Sequence, residues 1–174
     1  MKKTMRLMAM LLMAAAMMFA ACNKDDDGTT GGGSNPQPTP QPQQKELVGT
    51  SWLGTAGNSF SYQSITMNYN AQFTMDFLTD TTGEMFADLT VEVPVMPSAN
   101  QHQTETSAFT YTFDGTNLIL TDESGIGDTL TYNASDNTII MNIPAEAGEA
   151  FAEMGLTIED VLGSDKIVFN QTRK

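Results

Sequence analysis

The side chains that carry most enzyme chemistry are scarce in this chain of 174 residues, which holds one cysteine, Cys22, and one histidine, His102. His102 sits in residues 97–105, a polar stretch rich in Gln and Thr that reads as a loop. A protein zinc site draws three or four ligands from Cys, His and carboxylates. With no second histidine and no cysteine beyond Cys22, neither structural nor catalytic zinc is expected. A Ser-His-Asp triad needs a positioned serine and an acid that orients the imidazole. Ser98 and Ser107 are near His102 in sequence, but no nucleophile-elbow motif surrounds either. Paired carboxylates could serve glycoside hydrolysis. Most acids here, however, fall in turns or at the wet positions of strands, where solvation explains them. Asp122, Glu123 and Asp128 flank Ser124-Gly125-Ile126-Gly127. Hard oxygen ligands around glycines can hold calcium, but the spacing departs from the EF-hand loop, and acidic hairpins are common without metal. The expectation is a protein that is not an enzyme and needs no cofactor or metal.

Cys22 has a different setting. Lys2, Lys3 and Arg6 head the chain, residues 7–21 are an apolar run, and Phe19-Ala20-Ala21-Cys22 closes it with small residues. The run is about 15 residues, shorter than the roughly 20 a membrane-spanning helix requires. A basic head, a short apolar middle and a small-residue end read as a signal peptide. The segment resembles a bacterial lipoprotein signal, with Phe19 where that motif usually has Leu. The resemblance implies removal of residues 1–21, lipidation of Cys22 and a membrane anchor made of acyl chains. Two or more such chains anchor a protein firmly. The residues that follow, Asn23-Lys24-Asp25-Asp26-Asp27, resemble the surface-export tag of lipoproteins from the Bacteroidetes. That resemblance implies the outer membrane, with the protein facing the cell exterior. If the acidic run only keeps a tether solvated, the periplasmic face is the alternative.

Cleavage would remove three of the eight basic residues, leaving five against 21 acids and a net charge of −16. Nucleic-acid phosphates need Lys and Arg, so a nucleic-acid partner is not expected. Electrostatic docking on anionic lipid is excluded on the same ground. No second cysteine exists, so stability must come from a packed core rather than a disulfide. Residues 22–44 form the lipidated cysteine, the tag and a tether. The tether begins as a Gly/Ser/Thr stretch and continues as Pro-Gln repeats from Pro36. The first half is flexible and the second favours an extended polyproline spacer.

Residues 45–174 are enough for one domain with a core of its own. Apolar residues alternate with polar ones through Phe73-Met75-Phe77, Leu89-Val91-Val93-Val95, Phe109-Tyr111-Phe113, Leu130-Tyr132 and Ile139-Met141-Ile143. Period two with β-branched and aromatic enrichment predicts half-buried strands. One wet face and one dry face predict an antiparallel sheet. Eight or nine strands are expected, near 49–56, 60–69, 71–79, 85–95, 106–113, 117–122, 128–133, 138–143 and 166–173. Turns are expected at Thr81-Thr82-Gly83, Asp114-Gly115 and Ser135-Asp136-Asn137. Between Pro144 and Gly155, Ala147, Phe151 and Met154 share a helical face. Thr157 could then cap a short second turn, with Asp160 three residues on and Gly163 ending it.

The residues Leu47-Val48-Gly49-Thr50-Ser51-Trp52, the stretch Tyr111-Thr112-Phe113-Asp114-Gly115-Thr116-Asn117-Leu118-Ile119-Leu120 and the strand Val168-Phe169-Asn170-Gln171-Thr172-Arg173 resemble the small bacterial lipocalin-like lipoprotein domains. The likeness covers about residues 46–173. It implies Gly-x-Trp on the first strand, with an arginine of the last strand packed over the tryptophan. Here the spacing is Gly49-x-x-Trp52, one residue longer, and Arg173 is the candidate partner. The fold class expected is all-β, an antiparallel up-and-down barrel with a short helical segment before the last strand. A two-sheet sandwich is the runner-up. An eight-stranded barrel is just wide enough for its own side chains or for one small ligand. Trp52, Phe73, Phe77, Phe109, Tyr111 and Phe113 are the candidate ligand-binding residues. They either line a pocket for a small apolar molecule or glycan, or fill the barrel as plain core. In the second case the protein is a structural or protein-interaction module with an unknown partner.

Overall fold

The computed structural model describes residues 47–122, 125, 127–152 and 154–173. The signal segment, Cys22, the acidic tag, the tether and Glu123 lie outside the described residues. Eight strands form a closed antiparallel barrel in which each strand pairs with its sequence neighbours and the last returns to the first. They are β1 (Ser51–Tyr62), β2 (Ile65–Phe77), β3 (Thr82–Glu92), β4 (Gln101–Phe113), β5 (Asn117–Thr121), β6 (Gly127–Asn133), β7 (Thr138–Asn142) and β8 (Lys166–Arg173). The up-and-down barrel is therefore correct, and the sandwich is not observed.

Period two does the work. On β2 the side chains of Met67, Tyr69, Ala71, Phe73, Met75 and Phe77 are all buried, while Thr66, Asn70 and Gln72 between them are exposed. A one-residue slip would send that whole set into water, which fixes the register. Three of the expected strands, 49–56, 60–69 and 71–79, are in fact two long ones. Their turn falls at Gln63-Ser64, where both residues take the left-handed conformation (φ 50° and 65°) that a two-residue hairpin demands. Neither residue type advertises such a turn. Gly57-Asn58 does advertise one, yet both lie within β1. Gly57 is there because a Cβ would collide with the carbonyl oxygen of Tyr69 on β2. The turn expected at Thr81-Thr82-Gly83 sits slightly earlier, since β3 already begins at Thr82. It is closed by Thr79, whose Oγ1 accepts from the amide of Thr82 at 3.0 Å.

The helical segment joins β7 to β8. Helix α1 (Ala145–Ala152) buries Phe151, and α2 (Ile158–Leu162) buries Val161 and Leu162. Thr157 Oγ1 accepts from the amide of Asp160 at 3.1 Å, and Asp160 Oδ2 accepts from the amide of Thr157 at 2.8 Å. This reciprocal capping box starts α2, and Gly163 in the left-handed region (φ 77°) ends it. Asn58 Nδ2 donates to the carbonyls of Glu159 and Asp160 at 3.2 and 3.1 Å, tying α2 to β1. No described helix is long and apolar enough to cross a membrane.

The strands differ in length, and that difference shapes the surface. Strands β1–β4 run 11 to 13 residues, whereas β5 and β7 have five. Consequently β1 pairs with β8 only near its start, from Ser51 to Gly54. Strand β4 pairs with β5 only at its end, from Thr110 to Phe113. Helix α2 packs along the part of β1 that β8 leaves bare.

Candidate functional site

All six aromatic candidates face the interior. Trp52, Phe73, Phe77, Phe109, Tyr111 and Phe113 are each at most 8% exposed. All of them but Phe73 stand edge to face with another ring. Phe77 stands 4.9 Å from Tyr111 and 5.8 Å from Phe109 between ring centres. A second group joins Trp52 to Tyr132 at 6.1 Å and Tyr132 to Phe113 at 5.5 Å. Such arrangements suit the ring quadrupoles and add stability beyond burial. The Tyr111 hydroxyl donates to the Thr79 carbonyl at 2.8 Å, and Trp52 Nε1 donates to Thr50 Oγ1 at 2.8 Å. Burial pushes the Tyr69 phenol up to about 12. Burial, helped by the negative charge of Asp80, does the same to Tyr111, also to about 12. Both rings are neutral packing elements at any ordinary pH.

The arginine expected over Trp52 is elsewhere. The Arg173 side chain is 67% exposed and reaches Asp76 Oδ1 at 3.7 Å. A bulge in the β1–β8 register between Ser51 and Trp52 sets Arg173 opposite Ser51 and Gln171 opposite Trp52. The ring that packs on Trp52 is Tyr132, a residue read from the sequence only as one position of a strand.

Between β4 and the β5–β6 hairpin lies a partly enclosed cavity of about 60 Å³. Phe73, Phe109 and Leu130 wall it, and Ser107, Asp122 and Asp128 stand at its rim. Drug-sized ligands occupy pockets of roughly 300–1,000 Å³. This space accepts a few water molecules. A wider depression of about 560 Å³ on the outside, between β1, β2 and α2, is shallow and open. It is lined by Asn58, Ser59, Asn68 and Asn70, and the ring of its Tyr69 is buried.

Two of the calcium candidates do come together. Asp122 and Asp128 share the cavity rim, and the Asp128 carboxyl is pushed up by burial and then by the charge of Asp122. Among the described residues no three His, Cys, Asp or Glu side chains cluster closely enough to hold a metal ion. His102 is not in a loop. It lies in β4, because the chain resumes the ladder with β3 directly after a single 3-10 turn at Pro97–Ala99. Its Nε2 is 2.8 Å from Asp88 Oδ1, and both side chains are exposed. Ser107 is five residues along the same strand, so period two sends it to the opposite face of the sheet. Ser107 is therefore not brought to the His102–Asp88 pair.

The feature that sequence reading missed is the long bare stretch of β4. Residues 101–108 pair with β3 through an unbroken register, from Val91↔Gln101 to Glu84↔Ala108, and with no other described strand. Most of this stretch is exposed, with Gln103 and Ser107 half-buried. The signal that could have shown it is the mismatch between 13 strand-like residues before Asp114-Gly115 and the five or six after it.

Compared with known proteins, the chain matches no family model, no curated protein and no solved structure.

Proposed function

We propose that the chain is a lipid-anchored, non-catalytic interaction module whose barrel works through its outer surface. The filled interior carries this reading. The six candidate aromatics are buried, all but Phe73 stand edge to face with another ring, and the cavity that Phe73 and Phe109 wall is about 60 Å³. Holding an apolar molecule would take a cavity several times larger. Anchoring is supported by the basic head, the apolar run and Cys22 at its end. The likeness of that segment and of Lys24-Asp25-Asp26-Asp27 to Bacteroidetes lipoproteins supports the outer membrane, with the domain facing the cell exterior.

Three measurements test it. Trp52 is 1% exposed within the packed core. Its emission in the wild-type protein should stay unchanged when fatty acids or retinoid-like probes are added, and native mass spectrometry of protein from its host should find no apolar passenger. A stoichiometric passenger would overturn the solid-barrel reading in favour of a carrier. For the anchor, Cys22→Ala should move the protein from the membrane fraction to the soluble one. Persistence in the membrane would refute lipidation at that residue.

A further inference from the structure

The bare edge of β4 has a defined hydrogen-bonding face. The Tyr111 amide donates to the Thr81 carbonyl beside β3 at 2.8 Å. In an antiparallel ladder hydrogen-bonded and non-hydrogen-bonded pairs alternate. With Tyr111 directed at β3, the odd residues of β4 bond to that strand, and the even residues direct their backbone groups to the other side. Thr110 and Thr112 meet β5 there. His102, Thr104, Thr106 and Ala108 meet no described strand, so four amides and four carbonyls stand in a row. Natural sheets blunt such edges with lysine, proline, bulges or a covering helix. On β1 the helix does so. Residues 101–108 contain no lysine, no proline and no bulge.

Apart from His102, whose ring lies 2.8 Å from Asp88, the ionisable groups around this edge are acids. Glu105 lies on it. Glu84 and Asp88 are the β3 partners of Ala108 and Thr104. Asp122 and Asp128 stand at the cavity rim beside Ser107 and Ala108. The cations of the described residues, Lys166 and Arg173, are both on β8. A strand added to β4 would lie about 5 Å from it and about 10 Å from β3, comparable with the Debye length of about 8 Å at physiological ionic strength, so the acids of these two strands act on it directly. A second copy of this chain would set five acids against five.

We propose that residues 101–108 receive an extended cationic peptide segment of another protein, which adds a strand to β4. Main-chain bonds supply the affinity in such strand addition, and the acids select Lys and Arg. The proposal rests on the reading of the barrel as a surface interaction module and names its partner class.

The test uses the full chain and two synthetic seven-residue peptides, one alternating Lys with Val and one alternating Glu with Val. The Lys peptide should bind, slow hydrogen exchange at the amides of Thr104 and Thr106, and weaken as salt rises. The Glu peptide should not bind. Thr106→Pro removes an amide on the open side while leaving the β3 ladder bonded, and should weaken binding by about tenfold or more. Glu105→Lys keeps the backbone intact and should weaken the Lys peptide alone, which guards against a proline variant that fails to fold. Binding of the Lys peptide without protection of β4 amides, or binding untouched by both variants, would overturn the proposal. So would a dimer that protects the same amides and is lost in Thr106→Pro. A peptide that fails to bind while the interior takes up no probe defeats the docking edge and leaves the solid barrel standing.

Discussion

Phe77→Ala is the sharpest probe of a filled barrel. Phe77 is 1% exposed and stands edge to face with both Tyr111 and Phe109. Truncating a buried phenylalanine costs about 3–5 kcal/mol, the sum of lost transfer energy and the hole left behind. Each aromatic pair is worth about 0.5–1.5 kcal/mol beyond area. Losing two of them places this site in the upper half of the range, about 4–5 kcal/mol. A domain of this size is stable by roughly 5–15 kcal/mol, so the variant should still fold at low temperature. At a urea slope of about 2 kcal/mol per molar, the midpoint followed by Trp52 emission should fall by roughly 2 M. The vacated space adjoins Phe109, which already walls the cavity of about 60 Å³. An engineered apolar cavity of about 150 Å³ holds benzene. The variant should therefore bind benzene, with a stabilising shift of its midpoint, where the wild type does not. Equal binding by both proteins would refute the reasoning, because it would mean the interior was open before the ring was removed. A cost under about 1 kcal/mol would refute it as well, since that is too little for a fully packed ring.

Two further outcomes follow from the same geometry. The phenols of Tyr69 and Tyr111 titrate at about 12 in the fold against 10.0 in the unfolded chain. Their raised values favour the folded state fully below pH 10, and that advantage is lost as pH rises toward 12. Chemical denaturation at pH 9 and pH 11.5 should show the decline, worth about 2 kcal/mol for the buried Tyr69. Tyr69→Phe should shrink it, and an unchanged slope would contradict the assignment. Thr157→Ala removes one half of the capping box of α2 and should cost about 1 kcal/mol. Proteolysis between Gly155 and Gly163 should rise in parallel, and an unaltered cleavage rate would mean that tertiary packing alone holds the helix.

Much of this fold was legible because period two is a strong signal when one face is dry. The buried set on β2 reads directly from Met67 to Phe77. The capping box at Thr157 and Asp160 and the stop at Gly163 were legible for a similar reason, since both act within one helical turn. What failed were features decided by contacts far apart in sequence. Gln63-Ser64 turns because β1 and β2 are in register on either side of it, not because those residues favour a turn. Gly57 looks like a turn and is a spacer against Tyr69. The place of Arg173 depends on a bulge between β1 and β8 that no local pattern records. The aromatic candidates were correctly placed inside the barrel, but whether rings fill a space or line it depends on volumes that only assembly determines. Likewise the bare edge of β4 exists because β5 stops at Thr121, nine residues short of what β4 could pair.

The unequal strand lengths also give the molecule two unlike poles. Ser51 is opposite Arg173, and Phe77 is opposite Gly83. The β2–β3 turn, the end of the C-terminal strand and the entry of the chain at Leu47 are thus gathered at one pole. The hairpin at Gln63-Ser64 and the bare stretch from Gln101 occupy the other. One pole is thus laced shut by turns and paired strands, while the other leaves main-chain groups of a strand open to whatever chain approaches.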